Sequence, residues 1–94
     1  MTLATVTLEP KLDLRAASEL RSALLDLKGQ DVVLDAVNVD HFGALALQVV
    51  RAASKTWAEA GASFGIENVS SDLSDQLTLL GYTPDNLTTW ETAQ

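Results

Sequence analysis

The residues best suited to chemistry lie together in one short segment, which reads Asp40, His41, Phe42, Gly43 and Ala44. The segment follows a β-branched run and precedes the longest helical pattern, so we expect a loop at the carboxyl end of a strand. In α/β proteins, ligands and partners bind at that edge, where the next helix presents unpaired N–H groups that favour anions or carboxylates. Two interpretations stay open. All five residues form a partner-binding site, or Phe42 fills the core of a turn in which Gly43 allows a tight helix start.

The single histidine, His41, also has two interpretations. Histidine is a residue type that is suited to a pH-sensitive or partner-contacting role. The alternative is a surface histidine that is hydrogen-bonded to the backbone.

Catalytic and metal-binding patterns are otherwise missing from the sequence. With one histidine and no cysteine, neither a histidine pair nor a cysteine-based metal site can form. The glycines make no dinucleotide or phosphate-binding motif, and no nucleophile elbow occurs. Asp31 and Asp35 are four residues apart on an expected strand, where solvated strand ends are commoner than an acid–base pair. We therefore expect a protein that is not an enzyme and has no cofactor or metal.

Length and charge restrict the partners. The 94 residues suit a single domain over residues 1–94, and the formal net charge is −7. Such a surface repels phosphate backbones and anionic lipids, so we expect neither nucleic acid nor membrane as a partner. The absence of cysteine and of a signal-like N-terminus predicts a cytoplasmic location.

Strand and helix patterns alternate along the chain. Leu3–Leu8 alternates like a strand, and Lys11–Asp13 is a short extended piece. Asp13 is a candidate cap for a helix that ends at Gly29. Asp31–Val37 has the nearly continuous apolar character of a central strand that is buried on both faces.

The second half repeats this alternation. A helical stripe includes Trp57, which we expect in the core, and Ser63–Glu67 alternates like a strand. Ser70 and Ser71 are candidate caps for a third helix. Leu87–Trp90 is predicted as a last edge strand, with Trp90 packed at the edge or anchoring a partner. The sequence therefore predicts an α/β fold with a mostly parallel sheet of four to five strands and about three helices.

The pattern from about Val6 to Leu80 resembles the STAS domain, the fold of bacterial anti-sigma factor antagonists. The resemblance rests on hydrophobic pattern and element order. It is carried by these segments: Leu12–Ala17, Asp31–Asp35, Val37–Val39, Leu45 and Val49–Val50.

The family's switch motif differs in this chain. In anti-sigma factor antagonists the loop after the central strand reads Asp-Ser-Ser/Thr-Gly-Leu, and the second hydroxyl residue is phosphorylated. The corresponding positions hold His41, Phe42, Gly43, Ala44 and Leu45, of which only Leu45 matches. Gly43 stands at the lost phosphoacceptor position, and glycine has no hydroxyl to phosphorylate.

The resemblance implies a non-catalytic protein-binding module for signal transduction. The serine-less form is similar to STAS proteins of bacterial chemotaxis systems, which implies docking to a signalling histidine kinase. One alternative is an anti-sigma factor antagonist that binds an anti-sigma factor kinase. Another is a STAS domain that binds a nucleotide or another small ligand.

Overall fold

The computed structural model describes residues 3–90. Strands and helices alternate in an α/β arrangement, as predicted. The elements in chain order are β1 (Leu3–Thr7), β2 (Lys11–Leu12), α1 (Leu14–Asp26), β3 (Asp31–Asp35), β4 (His41–Phe42), α2 (Ala44–Glu59), β5 (Phe64–Glu67), α3 (Ser71–Leu79) and α4 (Pro84–Leu87).

The strands form two separate parallel ladders. In the main sheet β3 lies between β1 and β5, and one row of the register runs through Val6, Leu34 and Ile66. The second ladder joins β2 to β4 over two residues of each strand. The prediction of one sheet with four to five strands is therefore wrong for residues 3–90. Local sequence patterns showed no signal for β4, because two residues are too few to establish a periodicity.

The helices cover one face of the main sheet. Along β3, Val32 and Leu34 are buried, whereas Val33 between them is only partly buried. The same alternation leaves Leu3 of β1 57% exposed on the uncovered side. The expectation that the central strand is buried on both faces is therefore wrong. β-Branched residues also favour the strand conformation on a partly exposed face, so a nearly continuous apolar run does not require burial on both sides.

One hydrophobic core lies between the sheet and the helices. It contains the inward residues of the strands together with Ala17, Leu20 and Leu24 of α1 and Val50 and Trp57 of α2. Trp57 is in the core, as predicted, and its indole Nε1–H donates a hydrogen bond to the carbonyl of Gln30 at 2.6 Å.

Two of the predicted helix starts are confirmed by their caps. The Asp13 carboxylate accepts a hydrogen bond from the Ala16 N–H at 3.0 Å, and the Ser70 hydroxyl accepts one from the Leu73 N–H at 3.1 Å. Within residues 3–90 no helix combines the length and the apolar character that are needed to cross a bilayer.

The segment after α3 differs from the expected edge strand. Thr83 and Asn86 form a reciprocal capping box around Pro84, and these three residues start the one-turn helix α4. Leu87 is completely buried as the last residue of that helix. The strand predicted at Leu87–Trp90 is therefore wrong, and the described chain has three longer helices and one short one.

Candidate functional site

Residues 36–44, which we call the β3–α2 segment, connect the central strand to the longest helix. Its backbone is held against the β2 region. The N–H groups of Asp40 and His41 both donate to the Pro10 carbonyl, at 2.8 and 3.0 Å, and His41 then pairs with Lys11. The segment was expected to be a loop, but its last part is a short strand.

Gln76 on α3 fixes the segment from the other side. Its Oε1 accepts a hydrogen bond from the Phe42 N–H at 2.9 Å, and its Nε2 donates to the Asp40 carbonyl at 2.7 Å. Both ends of one amide are therefore used on a single stretch of backbone. Gln76 could not be predicted as part of this site, because it is 34 residues from Phe42 along the chain and lies in no local motif.

Phe42 has a structural role in this segment. Its side chain is only 3% exposed and belongs to the hydrophobic core. Phe42 therefore fills the core, as in the second of the two interpretations, and its ring is not part of a partner-binding surface.

Gly43 occupies a position where the backbone leaves no room for a side chain. Its N–H donates to the Leu12 carbonyl at 3.2 Å, and a Cβ atom on Gly43 would lie 2.7 Å from that carbonyl oxygen. The backbone angles of Gly43, φ −82° and ψ 164°, are open to any residue. The close approach of β2, and not an unusual φ, therefore requires glycine here.

The remaining residues of the candidate site are accessible. Asp40, His41 and Ala44 are exposed, and the His41 Nε2 atom lies 3.7 Å from the position that a Gly43 Cβ would take. We call Asp40, His41, Gly43 and Ala44 the loop surface. It combines one carboxylate, one imidazole and the start of α2, where Gly43 supplies no side-chain cap to the helix N–H groups.

The two aspartates of the central strand have structural roles at its ends. Asp31 Oδ1 accepts a hydrogen bond from the Ser63 N–H at 2.9 Å. Asp35 Oδ1 accepts one from the Val37 N–H and one from the Asn68 side chain, both at 3.0 Å. These contacts connect the strand to its neighbouring loops. They do not bring the two carboxylates together as an acid–base pair.

A metal centre is not among the arrangements found in residues 3–90. No group of three or more His, Asp or Glu side chains is placed there to hold an ion. The loop surface presents one carboxylate and one imidazole, both of which can form hydrogen bonds.

Comparison with models of known protein families gave no match, and no curated protein matches the chain.

Proposed function

We propose that this domain is a non-catalytic docking module of STAS type that binds a bacterial signalling histidine kinase of the chemotaxis type. The loop surface is the contact region, and the complex forms without a phosphorylation switch. Asp40 and His41 supply the polar contacts, and Ala44 at the start of α2 lets the partner approach closely.

The observation that carries this proposal is the environment of Gly43. The position that resembles the family's phosphoacceptor has no hydroxyl, and the Leu12 carbonyl occupies the space that any Cβ would need. A switch that works by adding a phosphate at this point requires both a hydroxyl and space for it. The resemblance to STAS proteins therefore favours a member that binds its partner constitutively.

The fixed backbone of the β3–α2 segment also supports a docking role. Pro10, Leu12 and Gln76 hold the carbonyl of Asp40 and the N–H groups of residues 40–43 in place. A surface that is ordered before binding loses little conformational entropy when the partner arrives. The side chains of Asp40 and His41 remain exposed on this ordered backbone.

Binding measurements with two purified kinases test the proposal directly. The domain is titrated with a chemotaxis-type histidine kinase and with an anti-sigma factor kinase from the same organism. We expect binding to the histidine kinase, and at least a tenfold loss of affinity for Asp40→Lys, because reversing a contact charge removes attraction and adds repulsion. Asp26→Lys makes the same charge change on an exposed residue near the end of α1 and serves as the control.

Three outcomes contradict this proposal. Binding to neither kinase removes the docking function, whereas binding only to the anti-sigma factor kinase favours the sigma-regulatory alternative. Incubation with kinase and labelled ATP should leave the β3–α2 segment unlabelled. Phosphate on Asp40 or His41 would show that the surface is switched after all.

A small-ligand function has one observation in its favour, an apolar groove between α1 and α2. Thermal unfolding with GTP, ATP and fatty acids tests it, since a ligand of the folded state raises the melting temperature when it is present well above its Kd. We expect no shift with either nucleotide, because an acidic domain without a phosphate-binding loop repels polyphosphates.

A further inference from the structure

A groove with a volume of about 540 Å³ runs between α1 and α2 on the outer side of the helical layer. Apolar side chains dominate it. Six large apolar side chains are exposed in the described part of the chain, and three of them line this groove: Leu14 (70%), Leu25 (51%) and Leu45 (45%). Exposed apolar side chains that cluster in this way are typical of an interaction site.

The groove begins beside the loop surface. Pairing of Leu12 with Phe42 in the β2–β4 ladder brings the starts of α1 and α2 together. Leu14 and Leu45, the first lining residues of the two helices, therefore lie at the same end of the groove. From there it extends along both helices to Lys28 and Trp57, so the loop surface and the groove form one continuous surface.

The charged residues that line the groove are both cations. Arg21 and Lys28 line it, and among the described residues no Asp or Glu does so, although the chain has a net charge of −7. Neither cation forms an ion pair within residues 3–90. Within residues 3–90 the ion pairs found are those of Arg15, on another face of α1, with Glu9 and Glu19. The groove therefore keeps two uncompensated positive charges beside its apolar floor.

We infer that this groove binds an amphipathic helix of the partner protein, with an apolar ridge flanked by acidic residues. A furrow between two packed helices accepts the ridge of a third, whose apolar residues recur at i, i+3, i+4 and i+7. The α1 side extends from Leu14 to Lys28, about 21 Å at the rise of an α-helix, which matches about four helical turns. The inference deepens the proposed function and rests on it for the signalling role of the partner.

The other occupants fit the groove less well. The groove is open to solvent along its length, whereas a small-molecule pocket encloses most of its ligand. A fatty acid bound in the groove would therefore remain largely exposed. A second copy of the chain would bring another net charge of −7 against the first, which opposes close association. A partner helix with acidic flanks satisfies both the apolar floor and the two cations.

Two synthetic peptides of about 16 residues test the inference, a length that covers the groove. Both carry the same apolar residues at helical spacing, one with glutamate flanks and the other with lysine flanks. Titration into ¹⁵N-labelled domain is followed by NMR. We expect the glutamate peptide to bind about tenfold more tightly, to shift amides of α1 and α2, and to weaken with salt.

Matched variants separate charge from apolar contact. Arg21→Glu combined with Lys28→Glu should reverse the preference between the peptides, whereas Lys11→Glu, an exposed cation outside the groove, should leave it unchanged. Leu25→Asp should abolish binding of both peptides. Leu79→Asp alters a side chain that is 88% exposed outside the groove, and it should have no effect.

The inference is overturned if neither peptide shifts the groove amides, if both bind equally, or if the shifts lie on the open face of the sheet. It is also overturned if dilution of the domain alone shifts the groove amides, or if oleate binds there in preference to the glutamate peptide.

Kinase binding by the Leu25→Asp variant distinguishes the groove inference from the proposed docking function. If this variant binds the histidine kinase as tightly as the wild type, the groove inference fails while the docking function stands. If the wild type binds no kinase but binds the glutamate peptide in the groove, the kinase-docking proposal fails and the groove inference stands.

Discussion

Two parts of this molecule each make several hydrogen bonds to one long polar side chain, and the two side chains have different effects. The β3–α2 segment is held by Gln76 of α3, and residues 82–90, which we call the C-terminal segment, are held by Arg51 of α2. The first anchor is a neutral amide that uses both of its ends. The second is a guanidinium cation that donates hydrogen bonds to backbone carbonyl oxygens.

The contacts of Arg51 explain why a cation is used there. Its Nη1 lies 2.9, 2.7 and 2.9 Å from the carbonyl oxygens of Asn86, Leu87 and Thr89. Asn86 and Leu87 are the last two residues of α4, and Thr89 lies just beyond it, where carbonyl groups have no partner further along the helix. The guanidinium carbon also lies 4.9 Å from the centre of the Tyr82 ring and 5.0 Å from that of Trp90. Trp90 is therefore packed at the edge of the fold.

The difference concerns what each anchor leaves accessible. Gln76 binds only backbone, so the side chains of Asp40 and His41 remain free on the surface. Arg51 is covered by two aromatic rings and closes the fold over the buried Leu87. Gln76 therefore holds a backbone segment whose side chains stay exposed, whereas Arg51 holds a segment that covers the hydrophobic core.

The largest effect is expected from removing the cationic anchor. Arg51→Met keeps much of the side chain's length but removes the guanidinium from the carbonyls of Asn86, Leu87 and Thr89. Of these, the Leu87 carbonyl still accepts a hydrogen bond from the Ser54 hydroxyl at 3.0 Å. We expect the free energy of unfolding to fall by about 3 kcal/mol, since hydrogen bonds to charged groups and cation–π contacts are both lost. Urea unfolding measures the loss. Lys55→Met on the same helix is the control, because Lys55 also faces the Trp90 ring, at 5.9 Å, and no hydrogen bond or ion pair of its side chain is found within residues 3–90. Equal losses in the two variants would contradict the special role of Arg51.

A smaller loss is expected where the backbone of the β3–α2 segment approaches β2. Gly43→Ala places a Cβ 2.7 Å from the Leu12 carbonyl oxygen, so the strand pair must move apart. We expect a loss of about 2 kcal/mol by urea unfolding, in the range of other overpacked sites. Gly65→Ala is the matched control, because a Cβ there would meet nothing within 4 Å. It should be neutral or slightly stabilising. Similar losses of stability in the two variants would show that the close approach of the Leu12 carbonyl does not require glycine at position 43.

Removing the neutral anchor should cost less still. Gln76→Leu leaves the Phe42 N–H and the Asp40 carbonyl without their side-chain partner, and we expect a loss of about 1.5 kcal/mol. Hydrogen exchange of the Phe42 amide should accelerate more than that of the core amides. Asp75→Asn, at the exposed neighbouring residue, is the control. Unchanged exchange at Phe42 would mean that the segment is held without Gln76.

The smallest effect concerns the cap of α1, next to the β2–β4 ladder. The hydrogen bond from the Ala16 N–H lowers the pKa of Asp13 below its ordinary value of 3.8. A lowered native pKa means that this contribution to stability is complete above pH 3.8 and is lost as the pH falls through the native pKa. Urea unfolding at pH 7 and pH 3 measures it. Asp13→Asn retains a capping oxygen but does not titrate, so its stability should depend less on acid; equal acid sensitivity would contradict the assignment.

Much of the fold follows from local patterns. Asp13 and Ser70 were predicted as caps because a carboxylate or hydroxyl at that point accepts the N–H groups of the first turn. Trp57 was placed in the core because it continues an apolar stripe at helical spacing. The strand prediction for Leu87–Trp90 is wrong because the capping box formed by Thr83 and Asn86 starts a helix there, which overrides the β-propensity of these residues.

The candidate site was predictable only in its position. Parallel α/β topology places a loop at the carboxyl edge of the central strand, and Gly43 marks its entry into α2. Nothing local indicated that Phe42 would be held by a glutamine 34 residues away, or that α1 and α2 would enclose Arg21 and Lys28 in a groove.

The sequence by itself determined the α/β class, the helix caps, most of the core and the absence of a hydroxyl at position 43, because these depend on residue type and short-range spacing. Only the tertiary structure decided that position 43 has no space for a side chain, that Gln76 and Arg51 hold the irregular segments, and that the helices cover one face of the sheet. Those features depend on atoms that are distant along the chain and meet only when the strands and helices pack.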